Sequence, residues 1–248
     1  RNIQDLTNGL ILVGFPQSGQ YAETWDEPTG KIGLDYFVND DSMLYATYST
    51  GYKSGGLNIN SPDQAVFDPE LIDAFEIGSK NRVANNRVEL NVSAFYYDYE
   101  DLQLFSVTES APFVQNAASS TIKGIELESK FLVTDAFSLG AAVSYLDAEI
   151  DEFFTKDPAD PPPLQMLEDL SGNRLPRAPE WELIVDAAYD WVLDSGRLSL
   201  IGRYHWQDEM FFRAQNDPDK VQESVGTLDA RLTYFTGDER WRISVFGS

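Results

Sequence analysis

The sequence predicts an all-β fold, an antiparallel up-and-down transmembrane β-barrel, from three features of its patterning. Polar and apolar residues alternate with period two over about ten segments. The connections between these segments alternate between short polar turns and long loops, as in outer-membrane barrels. Aromatic residues gather toward the segment ends, where Tyr and Trp of membrane strands meet the water interface.

The alternation itself predicts strands with one apolar and one polar face. In residues 89–97, every second position is apolar, namely Leu90, Val92, Ala94 and Tyr96. Residues 124–130 and 197–207 follow the same rule, and many segments reach the roughly 9–11 residues of a tilted membrane strand. We expect the apolar face to contact lipid through Leu44, Val92, Leu127, Val143, Leu200 and Ile243.

The connections fall into two size classes that alternate along the chain. Short polar turns are predicted at residues 39–41, 84–86, 134–136, 194–196 and 236–238. Long loops are predicted near residues 54–68, 105–115, 151–178 and 208–222. Up-and-down hairpins place all connections of one size class at the same rim, so one rim has the short turns and the other has the long loops.

Composition excludes several classes of protein. The 248 residues include 18 Lys and Arg against 41 Asp and Glu, a net charge of −23, which argues against a nucleic-acid partner. No run of consecutive apolar residues approaches the length of a transmembrane helix. The chain begins at Arg1 without an apolar leader, so we expect a mature chain or a fragment.

Catalytic and metal chemistry are not predicted. There is one histidine, His205, and no cysteine, so no nucleophilic triad can form. The Gly-rich residues 51–56 lack phosphate-loop spacing and indicate a strand-to-loop exit. The acidic loops predicted at residues 147–160, 168–169 and 208–219 indicate a solvated rim, and residues 157–163 a stiff extended segment. No cofactor and no metal site are expected.

An ordered set of motifs resembles the barrel of TonB-dependent receptors. Residues 45–58, YATYSTGYKSGGLN, are similar to the family's YxxYSxGYKSGGFN stretch, with Leu57 in place of the usual Phe. Further matches follow in family order: WDEPTGKIGLDY at 25–36, FDPE at 67–70, FEIGSK at 75–80, NA at 116–117, KGIELE at 123–128 and LPRAP at 175–179. The resemblance covers residues 23–248.

The resemblance implies a barrel of about 22 strands around a plugged lumen. The chain then corresponds to an arc of about ten strands, roughly the twelfth to the twenty-first. Residues 1–248 would form a partial barrel domain, with the plug domain, the first half of the barrel and the last strand missing. A competing architecture is a closed ten-stranded barrel, which requires pairing between residues 30–38 and 241–246.

For function, the resemblance implies a receptor in the bacterial outer membrane, not an enzyme. Such a receptor binds a scarce solute, most often an iron–siderophore complex, at the cell surface. It imports the solute with energy from the inner-membrane TonB complex, which acts through the absent N-terminal part. The partners implied are outer-membrane lipid, the TonB complex and a ferric siderophore or other nutrient. The alternatives are a passive porin-like channel and a soluble secreted all-β carbohydrate-binding protein.

Candidate ligand contacts follow from position alone. A rim of rings and hydrogen-bonding groups suits a bulky chelate or an oligosaccharide. The residues of this kind at the predicted outer rim are Tyr52, Lys53, Asn58, Phe105, Phe113, Gln115, Phe211, Phe212 and Arg213.

Overall fold

The computed structural model describes residues 23–58, 65–107, 112–117, 119–157 and 166–248. Across these ranges the secondary structure is entirely β, and no helix long and apolar enough to cross a membrane occurs in them. The strands are β1 Lys31–Asn39, β2 Ser42–Lys53, β3 Gly56–Leu57, β4 Val66–Phe67, β5 Glu70–Val83, β6 Val88–Glu100, β7 Gln103–Val107, β8 Pro112–Asn116, β9 Ser119–Leu132, β10 Phe137–Glu152, β11 Phe154–Lys156, β12 Leu167–Asp169, β13 Trp181–Leu193, β14 Gly196–Gln207, β15 Met210–Phe211, β16 Val221–Gln222, β17 Val225–Thr236 and β18 Arg242–Gly247.

Ten long strands form one antiparallel sheet. Its order is β1-β2-β5-β6-β9-β10-β13-β14-β17-β18, so consecutive long strands are always neighbours. The prediction of about ten up-and-down strands is therefore confirmed. In the described ranges β1 and β18 lie at opposite ends of this order. A closed ten-stranded barrel requires them to pair, so that architecture is wrong.

The connections sort by rim as predicted. Turns of a few residues join β1 to β2, β5 to β6, β9 to β10, β13 to β14 and β17 to β18. The long connections at the other rim are loop 1 (residues 54–69), loop 2 (101–118), loop 3 (153–180) and loop 4 (208–224), together called the loop layer. Each contains a small two-stranded hairpin, which the sequence patterning did not reveal: β3–β4, β7–β8, β11–β12 and β15–β16.

Strand register fixes the two faces of the sheet. Val92 lies opposite Leu127, which in turn lies opposite Val143, so these side chains share one face. All six residues predicted to contact lipid fall on this apolar face. The other, polar face carries Asn91 opposite Glu128, and Asp186 opposite Arg203.

Aromatic rings on the apolar face lie in two rows. Toward the loop layer, the Tyr48 and Phe75 rings are 4.7 Å apart and the Tyr145 and Trp181 rings 4.8 Å apart. Toward the short turns, Tyr189 lies between Phe137 and Trp191, at 6.1 and 4.6 Å. Two rows at the ends of an apolar band match the girdles of membrane barrels.

The strand β10 corrects one predicted boundary. Residues from Asp147 onward were predicted as an acidic loop, but β10 continues to Glu152 and is 16 residues long. Its acidic end lies beyond the aromatic rings of Tyr145 and Trp181, and Lys123 on β9 contacts Asp147 at 3.0 Å. Past the lipid, a strand meets no penalty for charged side chains and can continue outward. Residues 158–163 of the predicted extended segment lie outside the described residues.

The hydrophobic core lies beneath the loop layer rather than within the wall. Its buried members are Ala117, Ala148, Ile150, Phe153, Leu170 and Leu175, with Leu102, Leu104, Ile122, Leu146, Ala178 and Ala214 packed around them. Ile122, Leu146 and Ala148 lie on the polar face of β9 and β10. Loops 2 and 3 therefore fold over the polar face, and their apolar side chains are buried there.

Candidate functional site: the loop layer

Amide side chains join loop 1 to loop 2. The Gln103 Nε2 donates to the carbonyls of Ser54 and Asp68, at 3.0 and 3.1 Å. The backbone N–H of Gln103 donates to Glu70 Oε2 at 2.8 Å. One side chain at the start of β7 thus binds both ends of loop 1.

Two asparagines form reciprocal contacts between the same loops. The Asn58 Nδ2 donates to the Val114 carbonyl at 2.7 Å, and the Val114 N–H donates to Asn58 Oδ1 at 2.8 Å. Asn116 of loop 2 makes the mirror arrangement with Asp68 of loop 1, both bonds being 2.9 Å. Each carboxamide pairs with a backbone N–H and C=O as a neighbouring strand would.

Loops 3 and 4 are joined by the same device. The Asn216 Nδ2 donates to the Arg174 carbonyl at 2.9 Å, and the Arg174 N–H donates to Asn216 Oδ1 at 2.8 Å. Asn173 Nδ2 donates to the Ala214 carbonyl at 2.8 Å, and the Arg177 N–H donates to the Phe211 carbonyl at 2.8 Å. Loop 4 is therefore fastened along the final segment of loop 3.

Contacts between loops 2 and 3 join the pair formed by loops 1 and 2 to the pair formed by loops 3 and 4. The Thr155 hydroxyl donates to Gln115 Oε1 at 3.2 Å, and Ala117 packs in the buried cluster with Phe153 and Leu170. All four loops consequently form one connected layer.

Charges in the loop layer are paired across and within loops. Arg213 contacts Asp157 of loop 3, and Asp217 of loop 4 at 2.8 Å. Arg174 lies 3.8 Å from Glu209, and its guanidinium stands 5.8 Å from the centre of the Phe211 ring. In the described part of the chain, no group of three or more His, Cys, Asp or Glu side chains could hold a metal ion.

Two carboxyl groups of the loop layer have shifted pKa values. Burial, reinforced by the nearby Asp68 carboxylate, raises the pKa of Asp101. Hydrogen bonds from the hydroxyl and the backbone N–H of Ser171 lower the pKa of Asp169. The first group is easier to protonate than an ordinary Asp, and the second harder.

The nine predicted contact residues occupy different environments. Asn58 and Phe113 are buried, Gln115 accepts the Thr155 hydroxyl, and Arg213 is held by two aspartates.

The others lie closer to solvent or to the sheet. Lys53 is exposed and lies 3.7 Å from Glu70, while 46% of the Phe212 surface is exposed. Tyr52 lies on the apolar face of β2, Phe105 on β7, and Phe211 beneath Arg174.

Residues that organise the loop layer were missed at the sequence level. Gln103, Asn116 and Asn216 were not predicted as site residues, although each binds the backbone of a neighbouring loop. For Asn116 the partner is 48 positions away, and for Asn216 it is 42. No local pattern marks such a pair.

Below the loop layer, the polar face carries side-chain contacts between β13 and β14. Arg203 forms a bidentate contact with Asp186: its Nε donates to Oδ1 at 2.6 Å and its Nη2 donates to Oδ2 at 3.1 Å. The His205 Nε2 lies 2.6 Å from Glu182 Oε1. The single histidine thus lies on the polar face, as the alternation over residues 197–207 predicts.

Comparison with known proteins identifies the barrel. Residues 5–247 match the family described as TonB dependent receptor-like, beta-barrel. The chain is 25% identical over 244 residues to the pesticin receptor of Yersinia pestis, covering 95% of this chain and 33% of that protein. The chain therefore spans about a third of the length of such relatives.

Solved structures show the same fold. The ferric yersiniabactin uptake receptor FyuA of Yersinia pestis superposes with a TM-score of 0.70 at 23% identity, covering 88% of this chain and 31% of that one. The siderophore receptor PiuA of Acinetobacter baumannii gives a TM-score of 0.64 at 22% identity, covering 82% and 29%.

Family membership settles how the two faces and two rims are placed. In bacterial outer-membrane barrels the apolar face contacts lipid, the polar face lines the lumen, and the long loops are extracellular. The soluble carbohydrate-binding alternative is thereby excluded, and the family is one of receptors rather than enzymes. The ten-stranded sheet, its sorted loops and these matches show that the chain belongs to the TonB-dependent receptor family and forms part of its outer-membrane β-barrel.

Proposed function

We propose that the chain forms part of the barrel wall and of the ligand-binding mouth of an outer-membrane importer whose solute is a ferric siderophore. The observation that carries this proposal is the loop layer, which folds over the lumen face and is held there by a buried cluster. An ordered layer over the lumen suits capture of a bulky solute, because preorganised loops lose less entropy on binding.

The substrate class is drawn from the similar proteins. The relatives and structures matched include a pesticin receptor, a ferric yersiniabactin uptake receptor and a siderophore receptor. We propose that the plug domain, the remaining barrel strands and the site of TonB contact belong to parts of the protein outside this chain. Of the nine predicted residues, the exposed Lys53 and Phe212 are the proposed ligand contacts.

Uptake of radioactive ferric yersiniabactin tests the transport proposal. Cells lacking their own receptor for this chelate would express the intact protein that contains this chain, with and without a functional TonB complex. We expect saturable uptake that requires TonB. Uptake that persists at the same rate without TonB would support a passive porin-like channel instead.

Binding separates recognition from transport. Titration of the purified receptor with ferric yersiniabactin should show saturable binding that weakens in Phe212→Ala, since an exposed ring supplies stacking and apolar contact. Phe154→Ala is the matched control, because Phe154 is also exposed but was not predicted as a contact. Equal affinities of both variants and the wild type would remove Phe212 from the proposed contacts.

A further inference from the structure

Three asparagines of the loop layer share one geometry. Asn58, Asn116 and Asn216 each use Oδ1 to accept a backbone N–H and Nδ2 to donate to the carbonyl of the same partner residue. The partner always belongs to a different loop. These contacts are called the asparagine clips.

The clips replace strand pairing where the chain cannot pair. The hairpin β3–β4 has two residues in each strand, which is too short to join β7–β8 through an extended ladder. Asn58 binds Val114 in the middle of β8, while Asn116 at the end of β8 binds Asp68 just after β4. One clip side chain comes from loop 1 and binds loop 2, and the other comes from loop 2 and binds loop 1.

Because Asn58 is buried, its clip depends on a side chain that keeps both a hydrogen-bond donor and an acceptor. Asn58 is 8% exposed, so a partner lost there is not replaced freely by water. An aspartate at this position has nearly the same shape, but its ionised carboxylate cannot donate to the Val114 carbonyl. When protonated, the same carboxyl group has one O–H donor and one free acceptor, which is what the clip requires.

We propose that Asn58, Asn116 and Asn216 are positioning residues that hold loop 1 to loop 2 and loop 3 to loop 4 in a binding-competent arrangement. Their carboxamides act on the backbone of neighbouring loops and thereby on the exposed groups those loops present. The proposal rests on the proposed function only for the ligand that is bound. Loop order itself is measured without any ligand.

The first test is amide hydrogen exchange of the intact receptor with Asn58→Asp. At about pH 8 the carboxylate still accepts the Val114 N–H but lacks the donor and repels the Val114 carbonyl. We therefore expect loops 1 and 2 to open more often, and the Val114 amide to exchange about tenfold faster than in the wild type at that pH. Burial of this position and the facing Val114 carbonyl both favour the neutral carboxyl group and raise its pKa. At about pH 5 we therefore expect protonation to restore the donor and exchange to return to within about threefold of the wild type. Protection that is unchanged at both pH values, or lost equally at both, would overturn the positioning role of Asn58.

Matched variants isolate the cause. Ser54→Asp places the same charge in the same loop on an exposed side chain, and it should leave Val114 protection unchanged at both pH values. Asn216→Asp should give the pH-dependent loss at Arg174 and not at Val114, because its partner is in loop 3. Insertion of each variant is checked by its retained compact migration on unheated gels. If Asn58→Asp does not insert at pH 8, its insertion at pH 5 supports the clip, and failure at both pH values overturns it.

The second test connects the clip to binding. The affinity of Asn58→Asp for ferric yersiniabactin should fall about tenfold at about pH 8 and recover at about pH 5, relative to the wild type at each pH. A pH-dependent change in Val114 exchange with no binding of this chelate by the wild type would refute the proposed substrate and keep the clip. Normal chelate binding together with unchanged exchange would refute the clip and keep the proposed function.

Discussion

Val92 on β6 lies directly opposite Leu127 on β9, and both side chains project from the lipid face of the wall. One residue earlier, Asn91 lies opposite Glu128 on the lumen face. Adjacent positions on a single strand therefore face hydrocarbon and the lumen.

The substitution Val92→Arg tests this facing. We expect it to destabilise the folded barrel by about 2–4 kcal/mol, the cost of arginine on the lipid face near the bilayer midplane. Asn91→Arg is the control on the same strand and should cost much less. Urea titration of the intact receptor in lipid vesicles measures both. Equal losses for the two variants would contradict the facing.

The buried cluster beneath the loops supports a second prediction. Ile150→Ala should lower the free energy of local opening of loops 2 and 3 by about 2–5 kcal/mol, because the side chain is fully buried. Hydrogen exchange of residues 112–117 and 166–175 reads this out. Ile201→Ala provides the contrast, since Ile201 is 48% exposed on the lumen face. A loss confined to the barrel strands would show that the cluster does not hold the loops.

The raised pKa of Asp101 predicts a pH dependence of loop 2. A raised pKa means that the folded loop holds the proton more tightly than the unfolded chain, so this stabilisation is present below the ordinary Asp pKa and lost as the pH rises through the raised value. Asp101→Asn should remove this loss of stability at higher pH, so loop 2 should be more protected from hydrogen exchange at neutral pH. The Asn side chain also tolerates the φ of 55° at this position.

Asp169 supplies a comparison of opposite sign. Its lowered pKa stabilises loop 3 above the ordinary Asp pKa, and that contribution is lost on acidification. Asp169→Asn should therefore weaken loop 3 at neutral pH and abolish the acid-dependent loss there. If both variants shifted protection in the same direction at neutral pH, burial and hydrogen bonding would not be the causes of the two pKa shifts.

The Arg203–Asp186 contact predicts a small coupling energy. Both side chains are more than a third exposed, at 57% and 38%, so we expect about 0.2–1 kcal/mol from a double-mutant cycle with alanine. The single contact of Arg240 with Asp238, at 3.6 Å in a short turn, should give less. Stability in urea at low and high salt measures both. A coupling that grows with salt would contradict an electrostatic origin.

The wall was predictable from sequence because lipid imposes a rule on every second residue. In residues 89–97 and 197–207 the alternation placed each side chain on the face where the register puts it. The rule ends where lipid ends. Asp147 and its acidic neighbours were consequently predicted as loop, although the ladder of β10 continues through them.

The loop layer was less predictable because its order comes from distant partners. The position of Asn58 at the outer rim predicts a ligand contact, yet its carboxamide binds the backbone of Val114, 56 positions away. The small hairpins have strands of two to five residues, too short for a period to be recognised. Their contacts depend on which loops the wall brings together.

A separate core gives the loop layer a degree of autonomy from the strands that bear it. Phe153, Leu170 and Leu175 are buried in a cluster that also contains residues of loop 2, of loop 4 and of the ends of β9 and β10. Grafting loop 3 alone onto a different barrel would strip these side chains of their cover and expose apolar surface to the medium. Transplanting all four loops with the ends of their strands would keep these contacts intact. The natural unit of exchange between receptors of differing specificity is therefore the complete loop layer with its strand ends.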